Sequence, residues 1–272
     1  MSDAWAAELE FAVGVARRAG TLLTESYERV QRIDYKSARD VVTDVDFRSE
    51  ALILEAIRDQ YPADGILAEE SGRHRGSAGG RSDRTWVIDP LDGTVNYANG
   101  IPYYCVSIGL AVGDSVALGV ILDPARGDLF AATADGPACL NGAATHASDK
   151  ESLSDYVVSL TVIGRGGIEK ERRVAREVRI PRRMGSAALS LAYVAAGRFD
   201  AFVQNGGLSL WDVAAAGLIA ERAGARVTDL GGGPWWNSGR RAATISTVAA
   251  PEPLHRRLIE LLAGARVTSQ DR

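Results

Sequence analysis

The segment Trp86-Val87-Ile88-Asp89-Pro90-Leu91-Asp92-Gly93-Thr94 is the most informative stretch of this sequence. Its three leading apolar residues predict a short buried strand, which ends at two carboxylates and a turn into a short helix. Mg²⁺ prefers carboxylate, water and phosphate oxygens, and backbone amides at such a turn can bind phosphate. The segment therefore predicts a metal and phosphate site, and the structural alternative is an Asx-type turn that closes a strand.

Further acidic residues lie where other predicted elements begin or end: Asp44, Asp46, Glu69, Glu70 and Asp212. Each has a structural alternative, either as a helix cap or as an exposed charge at a strand end. Carboxylates that the fold brings together repel one another unless cations join them. The set as a whole therefore favours a site for divalent cations.

The rest of the sequence predicts a mixture of helices and strands. Apolar spacing predicts helices within residues 1–30, 47–57, 187–196, 213–223 and 253–262. Apolar runs predict strands at 66–68, 86–88 and 156–162, and turn-punctuated antiparallel strands from 103 to 140. Residues 71–82, rich in Gly, Ser and Arg, predict an exposed loop. We expect an α+β fold, with helices stacked against sheets in layers, and two fused halves over residues 1–150 and 151–272.

Composition excludes several classes of protein. The chain has 272 residues, 46% of them hydrophobic and 24% charged, with a formal net charge of -4, which argues against disorder and against a nucleic-acid binder. Cys105 and Cys139 have no zinc-site spacing and are expected to be buried small apolar residues. The first twenty residues lack the pattern of a signal peptide, and no uncharged stretch is long enough to span a bilayer. A cytoplasmic protein without membrane contact is expected.

Five segments, in order between residues 40 and 215, carry a family resemblance. They are Asp40-Val41-Val42-Thr43-Asp44-Val45-Asp46, Ala68-Glu69-Glu70-Ser71, the segment from Trp86 continued to Val95-Asn96-Tyr97, Gly185-Ser186-Ala187-Ala188-Leu189 and Trp211-Asp212-Val213-Ala214-Ala215. In these segments the chain resembles the inositol monophosphatase family, within the wider group of lithium-sensitive phosphatases that includes fructose bisphosphatases. The resemblance implies a layered α/β/α/β/α sandwich of the sugar-phosphatase type, a homodimer, and Mg²⁺-dependent hydrolysis of a small phosphate monoester.

The resemblance also implies roles for individual residues. Two or three Mg²⁺ ions are expected: the first on Glu69, Asp89 and the Leu91 carbonyl, the second on Asp89, Asp92 and Asp212, and a third, weaker one leaning on Glu69. Gly93 and Thr94 would bind phosphate oxygens, and Thr94 with Asp46 or Glu69 would orient the attacking water. The alcohol half of the substrate would contact Asp92 and four residues in the second half of the chain: Gly185, Ser186, Ala187 and Asn205. Lys36 falls in what the family has as a mobile loop over the site, or is an ordinary solvated lysine.

Two features depart from the family pattern. Asn205 stands seven residues before Asp212, where inositol-hydrolysing members usually carry a glutamate that contacts substrate hydroxyls. An amide is neutral and both donates and accepts hydrogen bonds, so inositol phosphate is not the only candidate substrate. The stretch from 165 to 183 is shortened and basic, and it is interpreted as a solvated helix face with i,i+4 pairs such as Glu169–Arg173.

Other functions remain open at this level. Within the family the ester could be inositol monophosphate, histidinol phosphate, a sugar bisphosphate or a phosphorylated nucleoside. A haloacid dehalogenase-type phosphatase would need a D-x-D-x-T nucleophile motif, whereas Asp89 and Asp92 are three residues apart. A catalytically silent homologue that only binds metal or phosphate is the non-enzyme alternative. The three histidines, His74, His146 and His255, fall outside the matched segments and are expected in loops or at the surface.

Overall fold

The computed structural model describes residues 4–27, 33–37, 40–77, 83–164, 166–240 and 242–264, and the side chains of 33–37, 40 and 41 lie outside that description. The helices are α1 (Ala6–Ser26), α2 (Asp44–Gln60), α3 (Thr94–Ala98), α4 (Gly167–Glu177), α5 (Ala187–Val194), α6 (Leu210–Arg222) and α7 (Leu254–Ala263). The strands of the first half are β1 (Ile33–Ser37), β2 (Asp40–Thr43), β3 (Gly65–Ala68), β4 (Gly72–His74), β5 (Arg84–Asp92), β6 (Cys105–Val112), β7 (Ser115–Asp123), β8 (Asp128–Thr133), β9 (Cys139–Leu140) and β10 (Ala143–Ala144). Those of the second half are β11 (Val157–Val162), β12 (Ile180–Arg182), β13 (Ala201–Leu208), β14 (Arg226–Thr228) and β15 (Ile245–Ala250).

An eight-stranded sheet organises the first half, in the order β10-β9-β8-β7-β6-β5-β3-β4. Only the β3–β5 pair is parallel, and the other pairs are antiparallel. The tight turns predicted between residues 103 and 140 are therefore confirmed as hairpin connections. β5 lies inside the sheet between β3 and β6, so the segment predicted to bind metal begins on a strand that is held on both edges.

A five-stranded sheet organises the second half, in the order β12-β11-β13-β15-β14. β11 is parallel to both of its neighbours, whereas β15 runs antiparallel to β13 and β14. The crossovers from β11 to β12 and onward to β13 contain α4 and α5, as parallel pairing requires.

Five layers follow from how apolar residues pack. One core joins α1 and α2 to the first sheet, a second joins that sheet to α5, α6 and the second sheet, and a third joins the second sheet to α4 and α7. This α/β/α/β/α order confirms the expected fold class. The middle core draws residues from both sides of position 150, among them Cys105, Phe130, Leu189 and Ile219, and the division into halves stays a prediction.

Several details differ from the sequence-based expectations. Gly72–His74, expected in a loop, forms strand β4, because backbone pairing with β3 at the sheet edge needs no apolar alternation; residues 78–82 lie outside the description. His255, expected in a loop or at the surface, is 1% exposed on α7, where its ring and the Thr228 hydroxyl are 2.9 Å apart. Cys105 is buried as expected, whereas Cys139 is only half-buried.

The basic stretch forms α4, whose outward face is solvated as expected. Of its observed ion pairs, the one between Arg183 and Glu171 stays within the stretch, and the one between Arg179 and Asp155 reaches the segment before β11. Among the helices that the structure describes, none combines the length and apolar character needed to cross a membrane.

Candidate metal centre and active site

The end of β5 brings two carboxylates to one side of the sheet. Residues three apart in a regular strand face opposite sides, but the pairing of β5 with β6 shifts register between Asp89 and Asp92. Pro90 lies inside that irregularity and has no N–H to give to a ladder. The Leu91 N–H instead donates to Asp89 Oδ1 at 3.0 Å, which holds the Asp89 carboxylate in place. The bulge therefore lets Asp89 and Asp92 face the same cavity.

Asp212 reaches this cavity from the first turn of α6. Ser209 is the N-cap, and its backbone N–H donates to Asp212 Oδ2 at 2.6 Å in a capping box. Asp212 is thus the third residue of the helix rather than its cap. One carboxylate oxygen from each of Asp89, Asp92 and Asp212 lies within 4.8 Å of the others.

These carboxylates line a cavity of about 160 Å³ together with Glu69. Its remaining described lining consists of small or apolar residues and one hydroxyl: Leu91, Gly93, Thr94, Val95 and Gly185. Within this described lining there is no Lys, Arg or His to balance four acidic side chains. The described lining therefore concentrates acidic groups at this point without a cationic side chain among them.

Burial and mutual repulsion both act on the protonation of these groups. Burial, followed by the charges of Glu69, Asp92 and Asp212, raises the pKa of Asp89 well above its ordinary value. Burial and then Asp92 raise the pKa of Asp212 well above its ordinary value. Burial also raises the pKa of Asp92, although hydrogen bonds from Ser186 and from α5 backbone amides oppose that shift. Such a set of hard oxygen donors fits Mg²⁺, which would remove the cost of keeping the carboxylates charged.

Thr94 and Asp46 form a linked pair beside the carboxylates. Thr94 Oγ1 lies 2.9 Å from Asp46 Oδ1 and 3.0 Å from the Leu91 carbonyl oxygen, so its one hydrogen is directed to these acceptors. Asp46 is fully buried, and its other oxygen accepts from the Thr43 N–H at 2.8 Å and the Thr43 hydroxyl at 2.6 Å. Asp46 therefore belongs to the capping box of α2 and also fixes the Thr94 side chain.

At the rim of the cavity, the Gly93 backbone lies close to Tyr103 and Ser186. Gly93 has φ +98°, and a Cβ there would lie 3.0 Å from the Tyr103 carbonyl oxygen and 3.1 Å from Ser186 Cβ. The Asn96 amide donates to the carbonyl oxygens of both Tyr103 and Met184 at 2.7 Å. Asn96 thus ties the segment before Gly185, in the second half of the chain, to helix α3 of the first.

Comparison with known proteins agrees with this arrangement. A model of the inositol monophosphatase family matches residues 5–271. The chain belongs to the inositol monophosphatase family. It is 39% identical over 238 residues to the "Nus factor SuhB" of Pasteurella multocida and, equally, to that of Escherichia coli K12, in each case covering 83% of this chain and 86% of the relative.

Solved structures extend the likeness to the fold. A crystal structure of the extragenic suppressor protein suhB from Bartonella henselae has a TM-score of 0.87 at 33% identity, covering 96% of this chain and 100% of that one. The Thermotoga maritima IMPase has a TM-score of 0.84 at 31% identity, covering 94% and 97%. The layered fold of this family member is therefore the fold of solved relatives.

The residues predicted to contact the alcohol half of the substrate fall into two groups. Ser186 and Ala187 lie at the start of α5, and Ser186 Oγ donates to Asp92 Oδ2 at 2.5 Å. Asn205 lies on β13 and is absent from the described lining of the carboxylate cavity. Its side-chain amide N–H donates to the Ile163 carbonyl oxygen at 3.4 Å, and its oxygen accepts from the Ser246 hydroxyl at 3.5 Å. The backbone at Lys36 belongs to β1, and its side chain lies outside the described residues. The substrate roles of these residues stay predictions.

Glu50 is a residue of this family member that the sequence reasoning missed. It is 3% exposed on α2, and its two carboxylate oxygens accept from the backbone N–H groups of Glu70 and Ser71 at 2.8 and 3.0 Å. These bonds clamp the turn directly after Glu69, so Glu50 positions Glu69 at the cavity. Glu50 lies three and four residues before the buried Ile53 and Leu54, and this helical spacing could have indicated a carboxylate on the buried face of α2.

Proposed function

We propose that this protein is a Mg²⁺-dependent phosphatase that hydrolyses a small phosphate monoester, with an inositol-monophosphate-type substrate. The observation that carries the proposal is the approach of Asp89, Asp92 and Asp212 within 4.8 Å in a cavity whose described lining has no cationic side chain. A fold that buries such charges together is costly without cations. Membership of the inositol monophosphatase family supports the same reaction class.

Two or three Mg²⁺ ions would be held by the carboxylates and one carbonyl. Glu69, Asp89 and the Leu91 carbonyl oxygen suit one position, Asp89, Asp92 and Asp212 suit a second, and Glu69 would support a weaker third. The chemistry that bound Mg²⁺ supplies in such a site is activation of a water nucleophile and neutralisation of charge on the phosphate and leaving oxygen.

The protein's own groups orient the water and the phosphate. Because the hydrogen of Thr94 Oγ1 is directed to Asp46 and the Leu91 carbonyl oxygen, a Thr94 lone pair is available to accept a hydrogen bond from the attacking water. The Gly93 and Thr94 residues line the cavity at the N-terminus of α3, where backbone amides suit phosphate oxygens. Direct attack by water is expected, with no phosphoenzyme, since the carboxylates are committed to metal ions.

Other substrates and one non-enzymatic function are the alternatives. The same chemistry could act on histidinol phosphate, a sugar bisphosphate or a phosphonucleoside. Relatives 39% identical to this chain are named "Nus factor SuhB", so a catalytically silent role as a Nus factor or metal-binding homologue is the second candidate. The intact pairing of Thr94 with Asp46 beside the carboxylates favours turnover, since binding of metal alone does not require it. A homodimer, lithium inhibition and a cytoplasmic location are proposed on the family resemblance alone.

Release of inorganic phosphate tests the proposal. Inositol 1-phosphate, histidinol phosphate, fructose 1,6-bisphosphate and a phosphorylated nucleoside are offered with Mg²⁺ and with a chelator. We expect Mg²⁺-dependent release that chelation abolishes, and a Thr94→Ala variant whose kcat falls more than its KM rises, because orienting the water acts in the transition state. Absence of Mg²⁺-dependent release from every ester would favour the silent homologue, and a trapped aspartyl-phosphate would contradict direct attack.

A further inference from the structure

The backbone of the bulge in β5 has polar groups that the sheet does not pair. Pro90 and Leu91 fall between the last two residues of β5 that are paired with β6, Asp89 and Asp92. The parallel pairing of β5 with β3 ends earlier, at Ile88. Pro90 and Leu91 are both buried, and buried backbone carbonyl and N–H groups need hydrogen-bond partners. Partners for this part of the strand therefore have to come from outside the sheet.

One peptide group in the bulge is held at both of its ends. The Pro90 carbonyl and the Leu91 N–H belong to the same peptide group, which is planar. The Ser49 hydroxyl donates to the Pro90 carbonyl oxygen at 2.9 Å, and the Leu91 N–H donates to Asp89 Oδ1 at 3.0 Å. Because the group is planar, a bond that fixes its carbonyl also fixes the direction of its N–H. Ser49 therefore acts on the orientation of the Asp89 carboxylate through a single peptide group.

Ser49 shares one face of α2 with two other residues that contact the wall of the metal cavity. Asp46 and Glu50 stand three residues before it and one residue after it, and positions i, i+3 and i+4 are neighbours on a helix. Asp46 accepts from the Thr94 hydroxyl, and Glu50 accepts from two N–H groups in the turn after Glu69. All three residues of this face are buried. Ser49 adds the third contact, so α2 holds three separate segments around the cavity.

The direction of the Ser49 hydroxyl indicates a specific role. A serine inside a helix can donate to the carbonyl four residues earlier in the same helix, whereas Ser49 donates to a residue 41 positions away. It is 0% exposed, so bulk water does not compete for the hydroxyl. A bond that only stabilised the fold would act equally with and without metal, whereas a bond that orients Asp89 would change the affinity for Mg²⁺. Metal affinity therefore separates the two roles.

We propose that Ser49 is a positioning residue of the metal centre, which orients the Asp89 carboxylate for Mg²⁺ through the Pro90–Leu91 peptide group. This rests on the proposed function, which places Mg²⁺ on Asp89. Without the Ser49 hydroxyl, the buried Pro90 carbonyl oxygen loses this donor and the peptide group is free to tilt. Mg²⁺ tolerates little departure from octahedral geometry, so a reoriented Asp89 carboxylate binds it less tightly.

Isothermal titration calorimetry with Mg²⁺ tests the proposal directly. Ser49→Ala should bind Mg²⁺ about tenfold more weakly than the wild type, the lower end of the effect when a group that orients a metal ligand is removed. Ser49→Cys keeps a side chain of similar size with a weaker donor. It should lose less affinity than Ser49→Ala, and it serves if the alanine variant fails to fold.

Thr145→Val is the matched control. It removes a hydroxyl that donates to the Ala195 carbonyl oxygen at 3.1 Å, and Thr145 is absent from the described lining of the metal cavity. This variant should lower the unfolding temperature and keep the wild-type affinity for Mg²⁺.

Phosphate release from inositol 1-phosphate gives a second readout. The Mg²⁺ concentration for half-maximal release should rise in Ser49→Ala by the same factor as the dissociation constant. A wild type that binds Mg²⁺ but releases no phosphate would contradict the proposed function alone, and the calorimetry would still decide the role of Ser49. Wild-type Mg²⁺ affinity in the Ser49 variants, whatever their stability, would overturn the assignment, as would a wild type that binds no Mg²⁺.

Discussion

Replacing Asp89 by Asn should stabilise the metal-free protein and, by the proposed function, abolish its activity. Asp89 and its carboxylate neighbours Asp92 and Asp212 have oxygens within 4.8 Å, and two unit charges at that distance repel by about 3 kcal/mol at an effective dielectric constant of about 20. Protonation limits this cost: holding a carboxyl of ordinary pKa 3.8 neutral at pH 7 costs about 4 kcal/mol. The Asn side chain has no charge and can still accept from the Leu91 N–H. We expect a gain of about 1–4 kcal/mol in the free energy of unfolding without metal.

The pH dependence has a definite sign. Burial and the neighbouring carboxylates raise the pKa values of Asp89 and Asp212 in the folded protein. Between the ordinary and the raised pKa the folded state binds more protons than the unfolded state, so the stability of the metal-free protein falls as the pH rises from about 4 through the raised values. Asp89→Asn should flatten this decline, and Mg²⁺ should restore wild-type stability at neutral pH.

Thermal unfolding between pH 5 and pH 8, with a chelator and with Mg²⁺, measures both effects. In the chelator the variant should unfold several degrees above the wild type, at about 2–4 °C per kcal/mol for a chain of this size. With Mg²⁺ the order should reverse, because the variant has lost a ligand that serves two ions in the proposed site. Glu55→Gln removes one charge from an exposed position on α2 and should leave the unfolding temperature nearly unchanged, both in the chelator and with Mg²⁺. A variant less stable than the wild type in the chelator, or a wild type indifferent to Mg²⁺, would refute the reasoning.

Two further substitutions test how the site is positioned. Glu50→Gln leaves one of the two backbone N–H groups facing an amide nitrogen. Steady-state kinetics should show a fall in kcat of about tenfold or more, and unfolding should show a loss of about 1–3 kcal/mol in stability. An unchanged kcat would show that the turn after Glu69 does not need the hydrogen bonds from Glu50. Asn96→Asp replaces a donor to two carbonyl oxygens by a carboxylate, so the unfolding temperature should drop by several degrees. Asn99→Asp removes an exposed hydrogen bond from the C-cap of α3 to Val95 and should lower the unfolding temperature much less. Equal drops would contradict a tie between the two halves at Asn96.

Local patterns were enough to predict much of the fold. Apolar periodicity predicted α1, α2 and α7 within a few residues, because each buries one continuous face whose spacing is visible in the chain. The Ala-rich apolar run predicted α6, which is buried on all sides from Val213 to Ala220. The run before Asp89 predicted the inner strand β5, and the carboxylates after it predicted a metal site. The sequence left two roles open for Asp46, a helix cap or a site residue. In the structure it has a part in both places, because it belongs to the capping box of α2 with Thr43 and also accepts a hydrogen bond from Thr94 beside the carboxylates.

Only the tertiary structure decided which groups meet. Asp212 is 120 residues beyond Asp92, and their approach depends on the order of two sheets and on the bulge at Pro90, which no local pattern encodes. Glu50 was missed because the backbone N–H groups that it binds, those of Glu70 and Ser71, are distant in sequence. β4 was missed because an edge strand is defined by a partner's backbone rather than by its own side chains. The sequence by itself determined which residues carry charge and which faces are apolar, and long-range packing determined which charges lie together, because that proximity is a property of the assembled layers.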